Sequence, residues 1–495
     1  NGATNTFYLK PQPAGVVSTS TGNMKTKAIP ATNKSADTPE DGRSRRKQKK
    51  KNPLKPQKPE SFSFPTSNRF GPISVSSPKL GRREDNRRKG GKKRRRRRRG
   101  GSSEWDRNWV SSRLHNPSSY VDKVVVVSYN ILGVENLSKH TDLYENIPPE
   151  FLDWEWRKEL ICKEVSRYNA GILCFQEVDR FKELENLLKM EGYHGAYKAR
   201  TGEAHDGCAI FWDEKMFTLL HEETIEFQLF SLRHNVAQLC VFEMNENHSL
   251  HNLSSEATKE TLKKNRKFIV GNIHVLFNPN RGDIKLGQMR IFLDRAYKLQ
   301  QEWGSIPVII GGDLNSLPQS AMYRFLETSE LDTRLHSRSS ISGQVERRPH
   351  RRDFFQNSNV TRVPVSMGDR FRYFWNEEEL GLATGSDTNT TLQHRLKLCS
   401  AYLGVPGSPR SRDYSGEPLA TSYHSKFLGT VDYIWHSEDL VPVRVLETLP
   451  LDILRTTAGL PNERLGSDHL ALVCELAFTD DGKETRSDVS STFPY

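Results

Sequence analysis

The stretch Pro307–Ser316 reads P-V-I-I-G-G-D-L-N-S and carries the clearest pattern in the chain. Its first four residues form a short apolar, mostly β-branched run, which is typical of a buried strand. Gly311 and Gly312 let the backbone turn tightly or come close to another group. Asp313 and Asn315 follow, and their spacing beyond a strand end directs a carboxylate and a carboxamide into one pocket. We interpret this as a cation and phosphate site; the simpler alternative is a strand that ends in a polar Asx turn.

Charge is distributed very unevenly along the 495 residues. Residues 1–100 contain 28 Lys and Arg against 6 Asp and Glu, a net charge of +22, whereas the remainder carries −10. Residues 1–115 are also rich in Pro, Ser and Gly and lack hydrophobic periodicity, which predicts a disordered basic tail. The clusters Arg43–Lys51 and Arg82–Arg99 indicate nuclear localisation or contact with RNA phosphates. The alternative is a solvated tail whose charges repel one another.

The cysteines and the hydropathy exclude several classes of protein. The six cysteines are scattered without a C-x-x-C pair, which argues against a structural zinc module and against a disulfide scaffold. A reduced intracellular compartment fits this usage best. There is no run of about 18 apolar residues, so neither a membrane span nor a membrane partner is expected. The chain begins at Asn1, and a lost targeting peptide stays open.

Apolar periodicity predicts one folded region over residues 120–478 and a short tail over 479–495. Mixed alternation of strands and helices favours an α/β sandwich with one core. The apolar strand-like runs are Lys123–Asn130, Gly171–Val178, Asp206–Trp212, Val236–Met244, Lys267–His274, Pro307–Ile310, Leu396–Leu403, Thr430–Ser437 and Asp468–Phe478. Asp206–Trp212 and Val236–Met244 are predicted to belong to an antiparallel sheet. Helical spacing occurs at Trp154–Tyr168, Phe181–Met190 and Leu286–Trp303. Residues 337–391 lack such patterns and predict a low-complexity insertion or a disordered segment.

Polar side chains stand at the ends of several of these runs. A carboxylate that ends an apolar strand must be solvated or paired, so repeated endings of this kind indicate one shared site. The residues concerned are Asn130, Glu177, His274, Asp313, Asn315, Asp432, Asp468 and His469.

Four of these residues are candidate metal ligands. Mg²⁺ binds carboxylate and amide oxygens and keeps several waters. We predict Glu177 as the anchor with Asn130 beside it, and a second ion held by Asp468 and Asp313. One or two Mg²⁺ ions are therefore expected, with Mn²⁺ as a substitute. Zinc fits less well because there is no H-x-x-x-H motif and no cysteine pair.

Asp313 and the other candidates suit attack of water on a phosphodiester. Asp313 is predicted to orient or deprotonate the water, and Asn315 to hold a phosphate oxygen or a metal. His274 and His469 serve the charge that develops on phosphorus and on the leaving oxygen. Asp432 is predicted to fix the tautomer of His469. Taken alone, a strand-end histidine is more often a satisfied core residue.

Six motifs occur in a fixed order that resembles a known superfamily. Together they are similar to the endonuclease/exonuclease/phosphatase superfamily and, within it, to the carbon catabolite repressor 4 deadenylases and their Angel-type relatives, especially the plant homologs. The motifs are S-Y-N (Ser128–Asn130), Q-E (Gln176–Glu177), N-I-H (Asn272–His274), G-D-L-N-S (Gly312–Ser316), V-D-Y-I (Val431–Ile434) and S-D-H (Ser467–His469). The resemblance implies a four-layer α/β sandwich of two packed mixed β-sheets with outer helices.

The resemblance to the deadenylases also implies an activity. It is that of a Mg²⁺-dependent 3′-to-5′ exoribonuclease that shortens the poly(A) tail of mRNA and releases AMP, with RNA as its partner, acting in nucleus and cytoplasm. Residues of the family's adenine pocket find matches in Pro279, Phe427 and Asn315. The alternative for Pro279 and Phe427 is ordinary loop packing.

The sequence leaves three points about this resemblance open. Leucine-rich repeats, by which yeast-type members join the NOT-scaffold deadenylase complex, are missing. The segment Phe277–Gln288 resembles the Angel-type branch more closely, and that branch includes enzymes acting on RNA 2′,3′-cyclic phosphates, so such an end is the alternative substrate. A catalytically inactive RNA-binding regulator is a further alternative, although every expected catalytic position is filled.

Overall fold

A computed structural model describes residues 104–245, 266–345 and 375–479. Parts of three predicted segments lie outside the described residues: residues 1–103 of the predicted tail, residues 346–374 of the predicted insertion, and residues 480–495. Within the three described ranges, no helix is long and apolar enough to cross a bilayer.

The described ranges fold into many short strands and a few helices. The strands are β1 (Trp109–Ser111), β2 (Lys123–Asn130), β3 (Ile172–Gln176), β4 (Tyr193–Ala199), β5 (Gly207–Asp213), β6 (Phe217–Glu226), β7 (Val236–Met244), β8 (Lys267–His274), β9 (Val308–Asp313), β10 (Glu330–Asp332), β11 (Thr391–Gln393), β12 (Leu398–Ser400), β13 (Ser422–His424), β14 (Phe427–Gly429), β15 (Asp432–Ser437), β16 (Leu440–Leu446) and β17 (Leu472–Phe478). The α-helices are α1 (Val134–Lys139), α2 (Pro149–Leu152), α3 (Trp154–Ser166), α4 (Phe181–Lys189), α5 (Gly282–Glu302), α6 (Ala321–Thr328), α7 (Glu377–Thr384) and α8 (Leu451–Leu454).

Thirteen of these strands form two mixed sheets. A seven-stranded sheet has the order β1-β16-β17-β2-β3-β5-β4, and a six-stranded sheet has the order β12-β15-β9-β8-β7-β6. The pairs β2–β3 and β8–β9 are parallel, and the other pairs in the two sheets are antiparallel. The predicted strands at Asp206–Trp212 and Val236–Met244 are present as β5 and β7, but they belong to different sheets.

Alternate side chains of β2 face two different cores. Val124 and Val126 pack between the two sheets, whereas Val125 and Val127 pack against α3 and α4. This alternation follows from the two-residue period of a strand. A third cluster joins the six-stranded sheet to α5 and α6. The order helix, sheet, sheet, helix is a four-layer α/β sandwich, so the predicted fold class is confirmed.

The glycines of β9 serve close packing and not a turn. β9 stays extended through both glycines and ends at Asp313, so a turn at this point, one of the two predicted uses of these glycines, is absent. A Cβ on Gly312 would lie 2.3 Å from the carbonyl oxygen of Ile273 on β8. A Cβ on Gly311 would lie 3.2 Å from the Cβ of Ser128 on the facing sheet. The two sheets therefore approach closely just below Asp313.

The structure differs from the sequence prediction at two boundaries, the start of the folded region and the end of the insertion. Trp109–Ser111 falls within the predicted tail but forms β1 at the edge of the larger sheet, so the fold begins before residue 120. The predicted insertion is folded at its C-terminal end, where Asn376 and Glu379 form a capping box at the start of α7. Both elements are short, and α7 buries only Leu380 and Ala383, so neither gives a clear hydrophobic period in the sequence.

Candidate active site

Four predicted site residues face the gap between the two sheets. The core of this gap includes Val126 of β2, Val270 of β8, Ile309 of β9 and Ile434 of β15. Because side chains alternate between the faces of a strand, residues an even number of positions away face the same gap. The buried residues that meet this condition near the strand ends are Asn130, His274, Asp313 and Asp432.

Glu177 reaches the same gap by a local turn. Leu173 and Phe175 of β3 face the outer helices, and an extended residue 177 would face the same way. Glu177 instead has a φ of +58°, a left-handed conformation that is unfavourable for a residue with a side chain. Its carboxylate accepts hydrogen bonds of 3.1 Å from Asn130 Nδ2 and from Gly133 N. The strained backbone thus places the carboxylate at the site.

Asn130 bridges two carboxylates across the gap. Its Nδ2 donates to Glu177 Oε1 and to Asp313 Oδ2, both at 3.1 Å. Its amide oxygen accepts from Leu132 N at 3.0 Å. The oxygen predicted to be a metal ligand therefore faces the backbone, because the backbone amide of Leu132 fixes the orientation of the side chain. In this structure Asn130 positions Glu177 and Asp313.

The turn that follows β9 joins Asp313 to His274. Asn315 has a φ of +46°, and its backbone N donates to Asp313 Oδ1 at 2.8 Å. Its Nδ2 donates to Val275 O at 3.0 Å and lies 3.1 Å from His274 Nε2, and His274 Nε2 is 3.6 Å from Asp313 Oδ2. Burial and then the charge of Asp432 raise the pKa of Asp313. This carboxylate therefore accepts a proton more readily than an exposed one.

His469 and Asp432 form a hydrogen-bonded pair, as predicted. His469 Nδ1 lies 2.8 Å from Asp432 Oδ2, which also accepts from Thr421 Oγ1 at 2.6 Å. Burial by itself lowers the pKa of His469, but the charges of Asp432 and Asp468 outweigh it and hold this pKa well above its usual value. The charged form of the imidazole is therefore favoured. Its Nε2 lies 4.0 Å from Asp313 Oδ2.

Asp468 is held by groups from the loop after β2. Tyr144 Oη donates to Asp468 Oδ2 at 2.8 Å, and Ser467 Oγ donates to Asn130 O at 2.7 Å. The fully buried Arg157 donates to the carbonyl oxygens of both loops, those of Leu132 and Gly466 among them. Burial raises the pKa of Asp468. The two loops thus form one hydrogen-bonded unit beside Glu177.

The donor atoms of the site fit a hard divalent cation. Burial raises the pKa of Glu177, but the charge of His274 and hydrogen bonds from Asn136 and Asn130 outweigh it and hold this pKa below its usual value, so the carboxylate is ionised. Among the His, Cys, Asp and Glu side chains of the described ranges, one group has all its ligand atoms within 4.8 Å of one another: Asp313, Asp432 and His469.

One hydrogen bond indicates which of these groups suits a cation. His469 Nδ1 and Asp432 Oδ2 bind each other, which leaves the carboxylates of Glu177, Asp313 and Asp468 as the more available oxygen donors. Carboxylate oxygens suit Mg²⁺ or Mn²⁺ better than zinc.

Phe427 is linked to Asp468 of the candidate site through the rings of His424 and Tyr144. Phe427 is half-buried, and its ring centroid lies 5.9 Å from that of His424, which lies 6.3 Å from that of Tyr144. Burial, together with the charge of His469, lowers the pKa of His424 to about 4, so His424 is neutral. Pro279 lies in the loop after β8, where its carbonyl oxygen accepts from Ser342 Oγ at 3.4 Å.

Several side chains at the candidate site had no signal in the sequence. Two of them bond to predicted site residues: Tyr144 to Asp468 and Thr421 to Asp432. The third, His424, packs against the ring of Tyr144. Tyr144 and Thr421 lie in loops, and His424 lies in a strand of three residues. Without a long element there is no hydrophobic period to indicate their direction. Only the folded chain places them at the site.

Comparison with known proteins agrees with this geometry. Residues 127–469 match the model of the Endonuclease/Exonuclease/phosphatase family. The chain is 58% identical over 384 residues to carbon catabolite repressor protein 4 homolog 5 of Arabidopsis thaliana, covering 77% of this chain and 82% of that protein. It is 32% identical over 379 residues to protein angel homolog 2 of Danio rerio, covering 70% of this chain and 63% of that protein.

A solved structure gives the same result for the fold. The crystal structure of ANGEL2, a 2′,3′-cyclic phosphatase, in complex with adenosine-2′,3′-vanadate matches with a TM-score of 0.57 and 30% identity, covering 75% of this chain and 99% of that chain. The resemblance inferred from the six motifs is thus confirmed. With its paired sheets and its buried acidic and histidine cluster, the chain belongs to the endonuclease/exonuclease/phosphatase family of hydrolases.

Proposed function

We propose that this protein is a Mg²⁺-dependent 3′-to-5′ exoribonuclease that releases AMP from the adenylate tail of RNA. The observation that carries the proposal is the convergence of Glu177, Asp313 and His469 on one gap, with the half-buried ring of Phe427 nearby. An aromatic ring of this kind stacks on a base with a gain of about 1–3 kcal/mol. The similarity to the carbon catabolite repressor 4 homologs supports a nuclease or phosphatase type of function.

Each residue of the site has a different role in the proposed hydrolysis. Asp313 orients the attacking water and accepts its proton. His469 donates a hydrogen bond from Nε2 to the phosphate oxygen that gains charge, while Asp432 holds Nδ1. Asn315 and His274, which contact each other in the free protein, donate to the phosphate oxygens. The P–O3′ bond to the preceding nucleotide then breaks, and O3′ takes up a proton from solvent water and leaves as the hydroxyl end of the shortened RNA.

A divalent cation bound by Glu177, Asp313 and Asp468 would neutralise phosphate charge and lower the pKa of a bound water. Treatment with a chelator is expected to abolish cleavage. Added Mg²⁺ is expected to restore it, and Mn²⁺ to substitute, because both ions accept an all-oxygen set of ligands. Full activity in the presence of the chelator would contradict the role of a cation.

A second candidate reaction is hydrolysis of an RNA 2′,3′-cyclic phosphate. The specific observation that favours it is the match of this chain to 99% of the solved chain of ANGEL2, a 2′,3′-cyclic phosphatase. Water attacks phosphorus in both reactions, so the same residues serve. The difference lies in the bond that breaks, which here joins phosphorus to O2′ or O3′ of the terminal ribose.

One experiment separates the two reactions. An RNA with an adenylate tail and its twin with a 2′,3′-cyclic phosphate end are incubated with the protein, and the products are weighed by mass spectrometry. We expect a ladder of lost AMP units from the first RNA. A change in mass at the cyclic end without any shortening of the tailed RNA would exclude the exonuclease and support the second reaction.

Variants show whether the described site is responsible. Glu177→Gln and Asp313→Asn are expected to lower kcat roughly 10²–10⁴-fold, because they remove an ionised oxygen donor and the base. Glu438→Gln is the control, since Glu438 is exposed at the opposite end of β15 from Asp432. Equal losses in all three variants would indicate that the described site is not the source of the activity.

A further inference from the structure

Helix α5 places a buried lysine beneath the catalytic turn. Lys285 is fully buried, and its Nζ donates to the carbonyl oxygen of Asn315 at 2.7 Å. No carboxylate oxygen of the described residues lies within 4.0 Å of this amine. Burial, opposed in part by the charge of Asp313, lowers the pKa of Lys285 to about 7. An amine without an ion-pair partner in such a place costs folding free energy, so packing alone does not explain it.

The same face of α5 also holds the loop that follows His274. Gln288 lies three residues after Lys285 and so projects from the same side of the helix. Its Oε1 accepts from Leu276 N at 2.9 Å, and its Nε2 donates to Leu232 O at 2.7 Å. The segment Phe277–Gln288, noted in the sequence, therefore contains two buried polar side chains that fasten the loops of the site to one helix.

The two fastened loops also contact each other. Asn315 Nδ2 lies 3.1 Å from His274 Nε2 and donates to Val275 O. The next carbonyl oxygen of the turn, that of Ser316, accepts from Tyr433 Oη at 2.8 Å. Two successive carbonyl groups are thus held by buried side chains, one of them Lys285. Asparagine tolerates the left-handed backbone that Asn315 adopts, and these two hydrogen bonds hold the carbonyl groups of the turn in place.

We propose that Lys285 is a positioning residue for the catalytic turn. Its amine fixes the Asn315 carbonyl and, through the turn, the directions of the Asp313 carboxylate and the Asn315 amide, and the protein loses stability by burying it. The inference rests on the proposed function, since it concerns the same site. A core-filling role makes the opposite prediction for stability, because removal of a core-filling side chain destabilises the fold.

Lys285→Met tests this, because methionine fills nearly the same space without a donor. We expect kcat to fall roughly 10–100-fold, since a small misplacement of catalytic groups has effects of this size, while KM for the RNA stays within about twofold. We expect Tm to stay equal or to rise, because a buried unpaired amine has been removed. Lys298→Met on the same helix is the control, since Lys298 is exposed and pairs with Asp294; no change is expected in kcat, KM or Tm.

Several results would overturn the inference. These are a wild-type kcat in Lys285→Met, a fall in Tm that accounts for the loss of activity, or a failure of both Lys285→Met and Lys285→Leu to fold. The proposed function fails in a different way, when the wild-type protein converts neither RNA end. An active wild-type protein together with an equally active Lys285→Met contradicts only the role of Lys285.

Discussion

Single side chains at this site are fixed by one another. Asp432 Oδ2 accepts from both Thr421 and His469, and Asn130 Nδ2 serves two carboxylates at once. Because each group has several partners in a medium of low polarity, removal of one charge changes the protonation of its neighbours. The pairing of His469 with Asp432 is the clearest case, since the charge of the carboxylate favours the protonated imidazole.

Asp432→Asn should therefore affect chemistry more than binding. The amide keeps the shape of the side chain but removes the charge that keeps His469 protonated, so kcat is expected to fall roughly 10²–10⁴-fold. Single-turnover cleavage at saturating enzyme measures this step directly. Glu438→Gln serves again as the control, and an Asp432→Asn variant as fast as that control would contradict the role of the pair.

The same pair predicts a dependence of stability on pH. The pKa of His469 is raised in the folded protein above its ordinary value of about 6.5. The stabilisation from this pair is therefore fully present below about pH 6.5, and it is lost as the pH rises through the folded pKa. With a chelator present, the Tm of the wild type should fall more steeply with rising pH than the Tm of Asp432→Asn. Parallel curves would contradict this sign.

The sequence predicted those site residues that end long apolar strands. Asp313, Glu177 and His274 stand out because a polar group after a buried run needs a partner. Tyr144 and Thr421 do not stand out, because they lie in loops. The orientation of the Asn130 amide was also beyond the sequence, since it depends on the backbone amide of Leu132.

Among the elements, three edge strands escaped prediction, whereas the edge strand β12 lies within the predicted run Leu396–Leu403. β1, β4 and β6 lie at the edges of the two sheets, where fewer side chains are buried and the apolar pattern is weak. β16 lies inside its sheet, but its register shifts between Pro442 and Arg444, which interrupts the two-residue period. The central strands β2, β7 and β8 have the predicted bounds because both of their faces are buried.

The close packing at Gly312 of β9 predicts that a larger side chain at this position lowers stability. Gly312→Ala places a Cβ against the backbone oxygen of Ile273 at 2.3 Å, so we expect a loss of about 1–3 kcal/mol of stability and a displaced Asp313. Gly381→Ala in α7 is the control, since a Cβ there meets nothing within 4 Å. It should gain up to about 1 kcal/mol. Urea unfolding measures both, and a neutral Gly312→Ala would contradict the close approach of β8 and β9.

Over the whole molecule, charge and catalysis occupy different parts of the chain. Residues 1–100 have a net charge of +22, whereas the remaining residues have −10 and contain the acidic site. RNA is a polyanion, and binding by basic residues releases its counterions. We therefore propose that the basic tail supplies affinity for RNA, while the folded region supplies the chemistry.

Deletion of residues 1–100 tests this division. The affinity for an adenylate-tailed RNA should become less dependent on salt, because the slope for single strands scales with the number of phosphates contacted, at about −0.7 for each. Single-turnover cleavage at saturating enzyme should not change. Binding measured over a series of KCl concentrations gives the slope, and an unchanged slope would contradict the proposed role of the tail.

The site is shared between two sheets and also between two lengths of chain. Asn130 and Glu177 precede residue 245, whereas His274, Asp313, Asp432 and His469 follow residue 266. Cleavage of the chain between residues 245 and 266 would give two fragments, and each fragment would contain an incomplete set of catalytic groups. Turnover by a mixture of the fragments would then depend on their reassembly, so hydrolysis of RNA would report the docking of one fragment on the other.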